Sequence, residues 1–260
     1  MSMIDPSARI DPSVELGPDV ELGPWVSIGA GVRIGARSRI EAHCVLRGPT
    51  EIGCDNHVFP FCTIGDAPQD KKYTPGAGES RLVIGNGNVI REYCSINRGT
   101  PGGGGATRIG DDNWIMAYCH IAHDCRIGSH TVFSNNTTLA GHVDIADYVI
   151  LGGFTGIHQF CRMGEGSFSA IAAIIVRDVP PFVIVKGNSA RPRSINSVGL
   201  RRRGFDAATI ATIKRCYRAL FREGRRLEDA LAEVERAAVD CAEARTMLEF
   251  IRASSRGIVR

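Results

Sequence analysis

The sequence predicts an all-β solenoid of triangular coils followed by a C-terminal α-helical domain. Three observations predict it. Aliphatic residues recur every six positions through most of the chain. Glycine is frequent, at 30 of 260 residues, while aromatic residues make up only 7%, which suits many tight turns around a narrow core. Near residue 190 the six-residue period gives way to the three- and four-residue spacings of amphipathic helices.

The first register runs Ile10, Leu16, Leu22, Ile28, Ile34, Ile40, Leu46, Ile52, Val58, Ile64. A second runs Ile84, Ile90, Ile96. A third runs from Ile109 through Ile115, Ile121, Ile127, Phe133, Leu139, Ile145, Leu151 and Ile157 to Met163, and returns at Ile175; its polar stop is Ser169. A period of six fits neither an α-helix nor an alternating strand. It fits short flat strands with a corner every six residues, three of which close one coil of 18. Each aliphatic points inward and stacks on its equivalents in neighbouring coils, about 4.8 Å away. Glycine beside it relieves the corner, where a side chain would crowd the turn or demand an unusual backbone angle. Full burial of one such aliphatic contributes roughly 2 kcal/mol, most of which backbone ordering cancels. No single coil could bury this core alone, so the coils stabilise one another.

Two stretches, 66–82 and 99–108, interrupt the count and read as loops thrown out from corners, the second containing four consecutive glycines at 102–105. The solenoid is expected over 1–190 and the helical domain over 191–260, with Pro192 at the junction. Helices are expected over 206–221, 227–234 and 243–251, from apolar positions such as Ile210, Ile213, Tyr217 and Leu220, then Leu227, Leu231 and Val234, then Met247, Leu248 and Ile251. Such helices can cap one end of an open solenoid.

Apolar residues make up 43% of the chain and charged residues 23%, with a formal charge of +3. That balance supports a sizeable core and excludes a mostly disordered chain. No apolar run reaches 18 residues, so no membrane span is expected. The first twelve residues lack a basic segment followed by an apolar one, which makes the cytoplasm the expected location. From Phe205 onward, 11 basic and 9 acidic residues are intermixed, which argues against nucleic acid as a partner. Nine cysteines without a CxxC pair support neither a disulfide framework nor a zinc knuckle.

Five of the seven histidines fall between 120 and 158. With the 18-residue coil as a ruler, His123, Gly141 and Gln159 stack on one face, a single coil apart, with His142 beside Gly141 and His158 beside Gln159. A proton acceptor, a backbone N–H free of a side chain and an amide therefore gather on one face, as acyl transfer requires. A base near neutral pH takes a proton from an attacking hydroxyl, and an N–H faces the oxygen that gains charge. Asp124 directly follows His123, so it or a backbone carbonyl can hold the far ring nitrogen. Two other readings use the same residues. Cys125 would share a flat-strand face with His123 and offers a covalent route. His120, His123, His142 and His158 offer imidazoles enough for zinc, although no metal is the preferred expectation.

The run HisIleAlaHisAspCys at 120–125, with LeuAlaGlyHisVal at 139–143, IleHisGlnPhe at 157–160, AspValProPro at 178–181 and ArgArgGlyPhe at 202–205, resembles the UDP-N-acetylglucosamine O-acyltransferase family. The resemblance covers essentially the whole chain, and the combination is far more specific than the hexapeptide repeat. It implies a left-handed parallel β-helix and a homotrimer. It also implies transfer of an (R)-3-hydroxyacyl chain from acyl carrier protein to the 3-hydroxyl of UDP-N-acetylglucosamine, the first step of lipid A synthesis. The donor would be a 4′-phosphopantetheine thioester, with no tightly bound cofactor. The resemblance assigns His123 as general base, Asp124 as its assistant and Gly141 as oxyanion donor. It assigns Asp70, His120, His142, His158, Gln159, Asn196, Arg202 and Arg203 to substrate contacts, and Ile171 to a chain-length ruler. Both UDP and the carrier protein are acidic, which suits the run Arg201, Arg202, Arg203. Ile171 fills space that glycine would leave open, so a chain of about 10 to 12 carbons is expected. Val198 and Asn97 depart from the family pattern, at positions where an acidic residue and a histidine are common. Related readings are a 3-amino UDP-sugar acceptor, a coenzyme A donor, the related N-acyltransferases with their extra N-terminal domain, and a non-catalytic or metal-binding trimeric coil.

Overall fold

A computed structural model describes residues 3–260. Its main body is a column of triangular coils with three parallel faces. The first face carries 11 strands, from Met3–Ile4 to Arg191–Ile195, the second carries 9, from Arg9–Ile10 to Ile174–Ile175, and the third carries 8, from Glu15–Leu16 to Arg162–Met163. Pairing repeats at the expected coil length, as in Ile10 with Ile28 and Ile121 with Leu139. Every six-residue stop from Leu22 to Ile64, and from Ile109 to Met163, is buried along the axis.

Both interruptions leave the column at the corner between the second and third faces. The first joins strands Thr63–Asp66 and Arg81–Ile84, and the second joins Ser95–Asn97 and Ala106–Ile109. A single edge thus carries both loops, directly below the histidine-rich coils.

Most glycines after an inward aliphatic serve close approach rather than an unusual backbone angle; Gly65, with φ of 77°, is the exception. A Cβ on Gly17 would lie 2.6 Å from the backbone nitrogen of Ala36 in the next coil. The left-handed conformation falls instead on the second corner residue, which is seldom glycine: Asp124, His142 and Phe160 have φ of 61°, 59° and 66°. That strain is offset by hydrogen bonding between coils. His142 N–H donates to the His123 carbonyl at 3.0 Å, and Phe160 N–H to that of Gly141 at 3.2 Å.

Beyond the last coil, Val183–Lys186 pairs antiparallel with Arg191–Ile195, extending the first face. The expected domain boundary at 190 therefore cuts a hairpin, and the helices begin at 197. The alternating ArgProArgSerIle segment was too short to announce a strand, because its pairing partner decides its conformation. Four helices follow: α1 (Ser197–Arg202), α2 (Ala207–Phe221), α3 (Leu227–Ala238) and α4 (Ala242–Arg252). Asp206 caps α2 by accepting from Thr209 N–H at 2.7 Å. Residues after α4 return to the column, where Asp178 bridges to Ile258.

Along the corner between the first and second faces, Trp25, Phe61, Tyr93, Tyr118, Phe154 and Ile171 are all exposed. Phe61, Tyr93 and Tyr118 stack coil on coil with centroids 5.1 and 4.9 Å apart. So long a line of apolar side chains marks an interaction edge.

Candidate active site

The strand His120–Ile121 delivers His123 and Asp124 to the loop-bearing corner. Because the chain turns there, neighbours in sequence can face one another. His123 Nδ1 and Asp124 Oδ2 lie 2.8 Å apart, and the Asp124 side chain is fully buried. The glycine-rich loop closes over that carboxylate: Thr100 donates to it from its N–H at 2.9 Å and its hydroxyl at 2.7 Å. Gly103 packs so tightly on the carboxyl carbon that a Cβ there would overlap it. The Thr107 hydroxyl receives Asp124 N–H at 2.8 Å.

Burial pushes the Asp124 carboxyl upward. The hydrogen bonds from His123 and Thr100, with the positive potential of His142, outweigh it and hold the carboxyl below its ordinary value. A carboxylate fixed in this way binds the Nδ1–H tautomer of His123 and leaves Nε2 with its lone pair free.

One coil above, Gly141 lies against the imidazole. A Cβ at 141 would stand 2.6 Å from His123 Cε1 and 2.7 Å from Nε2. The absent side chain is therefore a requirement for the ring's position. The Gly141 N–H donates to no partner among the described residues. His142 stands edge-on to His123 at 5.2 Å between centroids, with Nε2 3.6 Å from Asp124 Oδ2. Burial lowers its proton affinity, and the Asp124 charge partly opposes this. Burial likewise lowers that of His120, whose Nδ1 lies 2.7 Å from the Ser95 hydroxyl.

A groove of about 410 Å³ opens beside this corner across the second face. Gln69, His120, His123, Gly156, His158 and Val176 are among the residues lining it. His158 is exposed, and Gln159 half-buried. Asp70, in the first loop, lies close enough for its charge to act on His142.

The remaining expected residues lie elsewhere on the chain. Asn196 caps α1, accepting from Gly199 N–H at 3.0 Å, and donates to the Gly166 carbonyl at 3.1 Å. Together with Arg202 and Arg203 it lines a cavity of about 490 Å³ on the first face. Arg203 pairs with Glu165 and lies 3.9 Å over the Tyr148 ring. Ile171 is 72% exposed at the corner between the first and second faces and lines no part of the His123 groove. Val198 is exposed in the first-face cavity, while Asn97 is buried and donates to the Ala67 carbonyl at 3.1 Å.

Both competing readings of the histidine stretch change. Cys125 does not share a face with His123, because the corner at 123–124 turns its thiol into the core. There it donates to the Ala140 carbonyl at 3.2 Å, and burial pushes its pKa to about 12. The four histidines do not form one ligand set. Among the described residues, His123, Asp124 and His142 have ligand atoms within 4.8 Å of one another, but both Asp124 oxygens already accept hydrogen bonds. Thr100, Gly103, Thr107 and Ser95 escaped sequence reasoning. Their loop register cannot be counted with an 18-residue ruler once an insertion intervenes.

A family model described as UDP-N-acetylglucosamine O-acyltransferase, domain 2, matches residues 178–259, and the bacterial transferase hexapeptide model matches 13–48 and 106–141. A curated acyl-[acyl-carrier-protein]–UDP-N-acetylglucosamine O-acyltransferase of Verminephrobacter eiseniae is 52% identical over 221 residues, covering 83% of each chain. That of Alkalilimnicola ehrlichii is 53% identical over 201 residues, 77% of each. Among solved structures, the Francisella novicida UDP-N-acetylglucosamine acyltransferase matches with a TM-score of 0.96 at 38% identity, over 99% of this chain and 94% of that one. The Campylobacter jejuni enzyme matches at 0.91 and 40%, over 99% of both. The coil is the left-handed parallel β-helix with a helical C-terminal domain. This column, its loop-bearing corner and its helical cap, shared with relatives over four-fifths of the chain, make it a member of the acyl-[acyl-carrier-protein]–UDP-N-acetylglucosamine O-acyltransferase family.

Proposed function

We propose that the chain transfers an (R)-3-hydroxyacyl group from acyl carrier protein to the 3-hydroxyl of UDP-N-acetylglucosamine, opening lipid A synthesis. One observation carries the chemistry: an imidazole tied at Nδ1 to a buried carboxylate stands over a residue with no side chain. His123 Nε2 removes the hydroxyl proton as the sugar oxygen attacks the thioester carbonyl carbon. The Gly141 N–H receives the developing oxyanion. The C–S bond then breaks, and the imidazolium returns the proton to the departing thiolate of the phosphopantetheine arm. Asp124 stabilises the transient imidazolium without leaving its hydrogen bonds. His120, His142, His158, Gln159 and Asp70 bind the sugar and the thioester around this centre.

Asn196, Arg202, Arg203 and Ile171 cannot serve the His123 groove of their own chain, because they stand on the first face or its far corner. They serve a neighbouring copy's groove in a homotrimer. The exposed aromatic edge between the first and second faces supports such an assembly, since packing first face against second face brings three of these edges to the symmetry axis. Ile171 then closes the neighbour's acyl channel, setting a length of about 10 to 12 carbons. The cytoplasm, where both substrates occur, is the location this reading assigns. The test is an acyl-transfer assay with UDP-N-acetylglucosamine and 3-hydroxyacyl carrier proteins of graded length. Product with the shorter donors is expected; no product with any donor rejects the reading.

A further inference from the structure

Residues 71–79 of the first loop are exposed, with the exception of Tyr73. A segment so exposed holds one shape only if something anchors it. Three consecutive residues of the column, 97–99, supply the anchors. At the outgoing end, Arg98 N–H donates to the Asp66 carbonyl at 3.1 Å, and Asn97 Nδ2 to that of Ala67 at 3.1 Å. At the returning end, Gly99 N–H donates to the Arg81 carbonyl at 3.0 Å, and the Ser80 hydroxyl to the Gly99 carbonyl at 2.7 Å. In the middle, the Arg98 side chain reaches down the corner to the Gly48 carbonyl, and a guanidinium nitrogen lies 3.5 Å from the Tyr73 hydroxyl. That hydroxyl in turn donates to Ser80 Oγ at 3.3 Å. Among the described residues, the Arg98 guanidinium meets no carboxylate, so its contacts go to the loop and to the corner beneath it. A planar fork can serve two oxygens that lie in different directions.

Tyr73 closes a turn that begins at Asp70. Tyr73 N–H donates to the Asp70 carbonyl at 2.9 Å, and the Asp70 carboxylate accepts from Lys72 N–H at 2.9 Å. A turn closed by both main chain and side chain moves as a unit, so pinning the tyrosine aims the carboxylate three residues earlier. The turn stands at the site. Gln69, next to Asp70, lines the groove with His120 and His123. Burial lowers the proton affinity of His142, and Asp70 is near enough for its charge to oppose this.

We propose that Arg98 is a positioning residue for the acceptor: its guanidinium pins Tyr73 to the column and so holds the 70–73 turn where Asp70 meets the sugar of UDP-N-acetylglucosamine. The assignment rests on the acceptor proposed above and adds what holds the residue that binds it. Thr100, on the same segment, fixes Asp124, so two routes need separating. Acting through Asp70, Arg98 governs acceptor binding; acting through Thr100, it would govern kcat.

The test measures kcat and both KM values for Tyr73→Phe, Arg98→Met and Arg98→Lys, each alone and combined with Asp70→Asn. Calorimetric Kd for UDP-N-acetylglucosamine and thermal unfolding are recorded on the same samples. Asp70→Asn removes the charge but can keep the turn, since an amide oxygen also accepts from Lys72 N–H. Alone, it should raise acceptor KM and Kd about tenfold. Tyr73→Phe, which removes only the hydroxyl, should raise them about three- to tenfold, and Arg98→Met about tenfold. Arg98→Lys, which can reach one of the two oxygens, should recover part of the loss. Donor KM and kcat should stay within about twofold, and neither Tyr73→Phe nor Arg98→Met should add more than about twofold once Asp70→Asn is present. Tyr73→Phe keeps the test valid should Arg98→Met loosen the corner at Gly48.

Wild-type acceptor affinity in Tyr73→Phe, or in a folded Arg98→Met, overturns the proposal. So does an effect of full size in the Asp70→Asn background, which would make the guanidinium a direct nucleotide contact or a support of the column alone. A fall confined to kcat overturns it too, by assigning Arg98 to the loop that holds Asp124. Asp70→Asn with unchanged acceptor affinity removes the role while leaving the function standing. A wild type that transfers no acyl group rejects the function, and this role with it.

Discussion

Gly141→Ala is the sharpest perturbation of the site, because one methyl group separates two roles of the residue. Alanine keeps the N–H that faces the oxyanion but adds a Cβ 2.6 Å from His123 Cε1 and 2.7 Å from Nε2. Ordinary contact begins near 3.4 Å, so the imidazole must retreat by about 0.8 Å, and it can do so only by lengthening its 2.8 Å bond to Asp124. A misplacement of about 1 Å costs on the order of 10²-fold in rate, so kcat should fall roughly 10- to 100-fold, or about 1.4 to 2.8 kcal/mol. Stability should fall as well: the backbone angle at Gly141 suits alanine, but a Cβ under 3.0 Å from the buried His123 ring overpacks the site, at a cost of about 1–3 kcal/mol. The assay is steady-state acyl transfer beside thermal unfolding, with Gly153→Ala as control, since a Cβ there meets only the Asn135 carbonyl oxygen at 3.4 Å. A Gly141→Ala variant with wild-type kcat would refute the placement of the reacting base against residue 141.

The carboxylate can be tested from both sides. Asp124→Asn should cost about 10- to 100-fold in kcat, because the amide no longer demands the Nδ1–H tautomer, and kinetics with matched unfolding curves check it. Asp124 also carries a pH signature. Its folded value lies below its unfolded one, so its contribution to stability is present above about pH 4 and is lost as pH falls through the folded value. Acid unfolding of the wild type and of Asp124→Asn should therefore converge at low pH; curves that stay parallel would deny the linkage. Gly103→Ala should lower kcat by displacing the loop from Asp124, although Gly103 touches no substrate in this reading. Ile171→Gly should shift donor preference towards chains longer than about 12 carbons, and an unchanged length profile would remove Ile171 from that role.

Much of this was legible because an 18-residue coil turns sequence spacing into height. The stack of His123 under Gly141, three-dimensional as it is, could be counted from the text, and the ring contact at Gly141 follows from it. Counting failed where insertions break the period. Thr100 and Thr107 reach Asp124 only because a loop folds back over it. Direction also resisted reading: Cys125 lies two residues from His123, yet a corner between them sends its thiol inward. The returning strand of the hairpin, 191–195, was invisible because its strand character comes from pairing with 183–186 rather than from the residues themselves. Asn196, Arg202 and Arg203 could be named by resemblance, but no spacing within one chain says that they face away from His123.

The central claim is that the His123 imidazole, held by Asp124, is the base of an acyl transfer. Its most direct measurement is the rate at which purified His123→Ala moves a 3-hydroxyacyl group from carrier protein to UDP-N-acetylglucosamine, with assembly state recorded on the same sample. A loss of about 10²- to 10⁴-fold with the assembly intact is the predicted result; a correctly assembled variant turning over at close to the wild-type rate would contradict it.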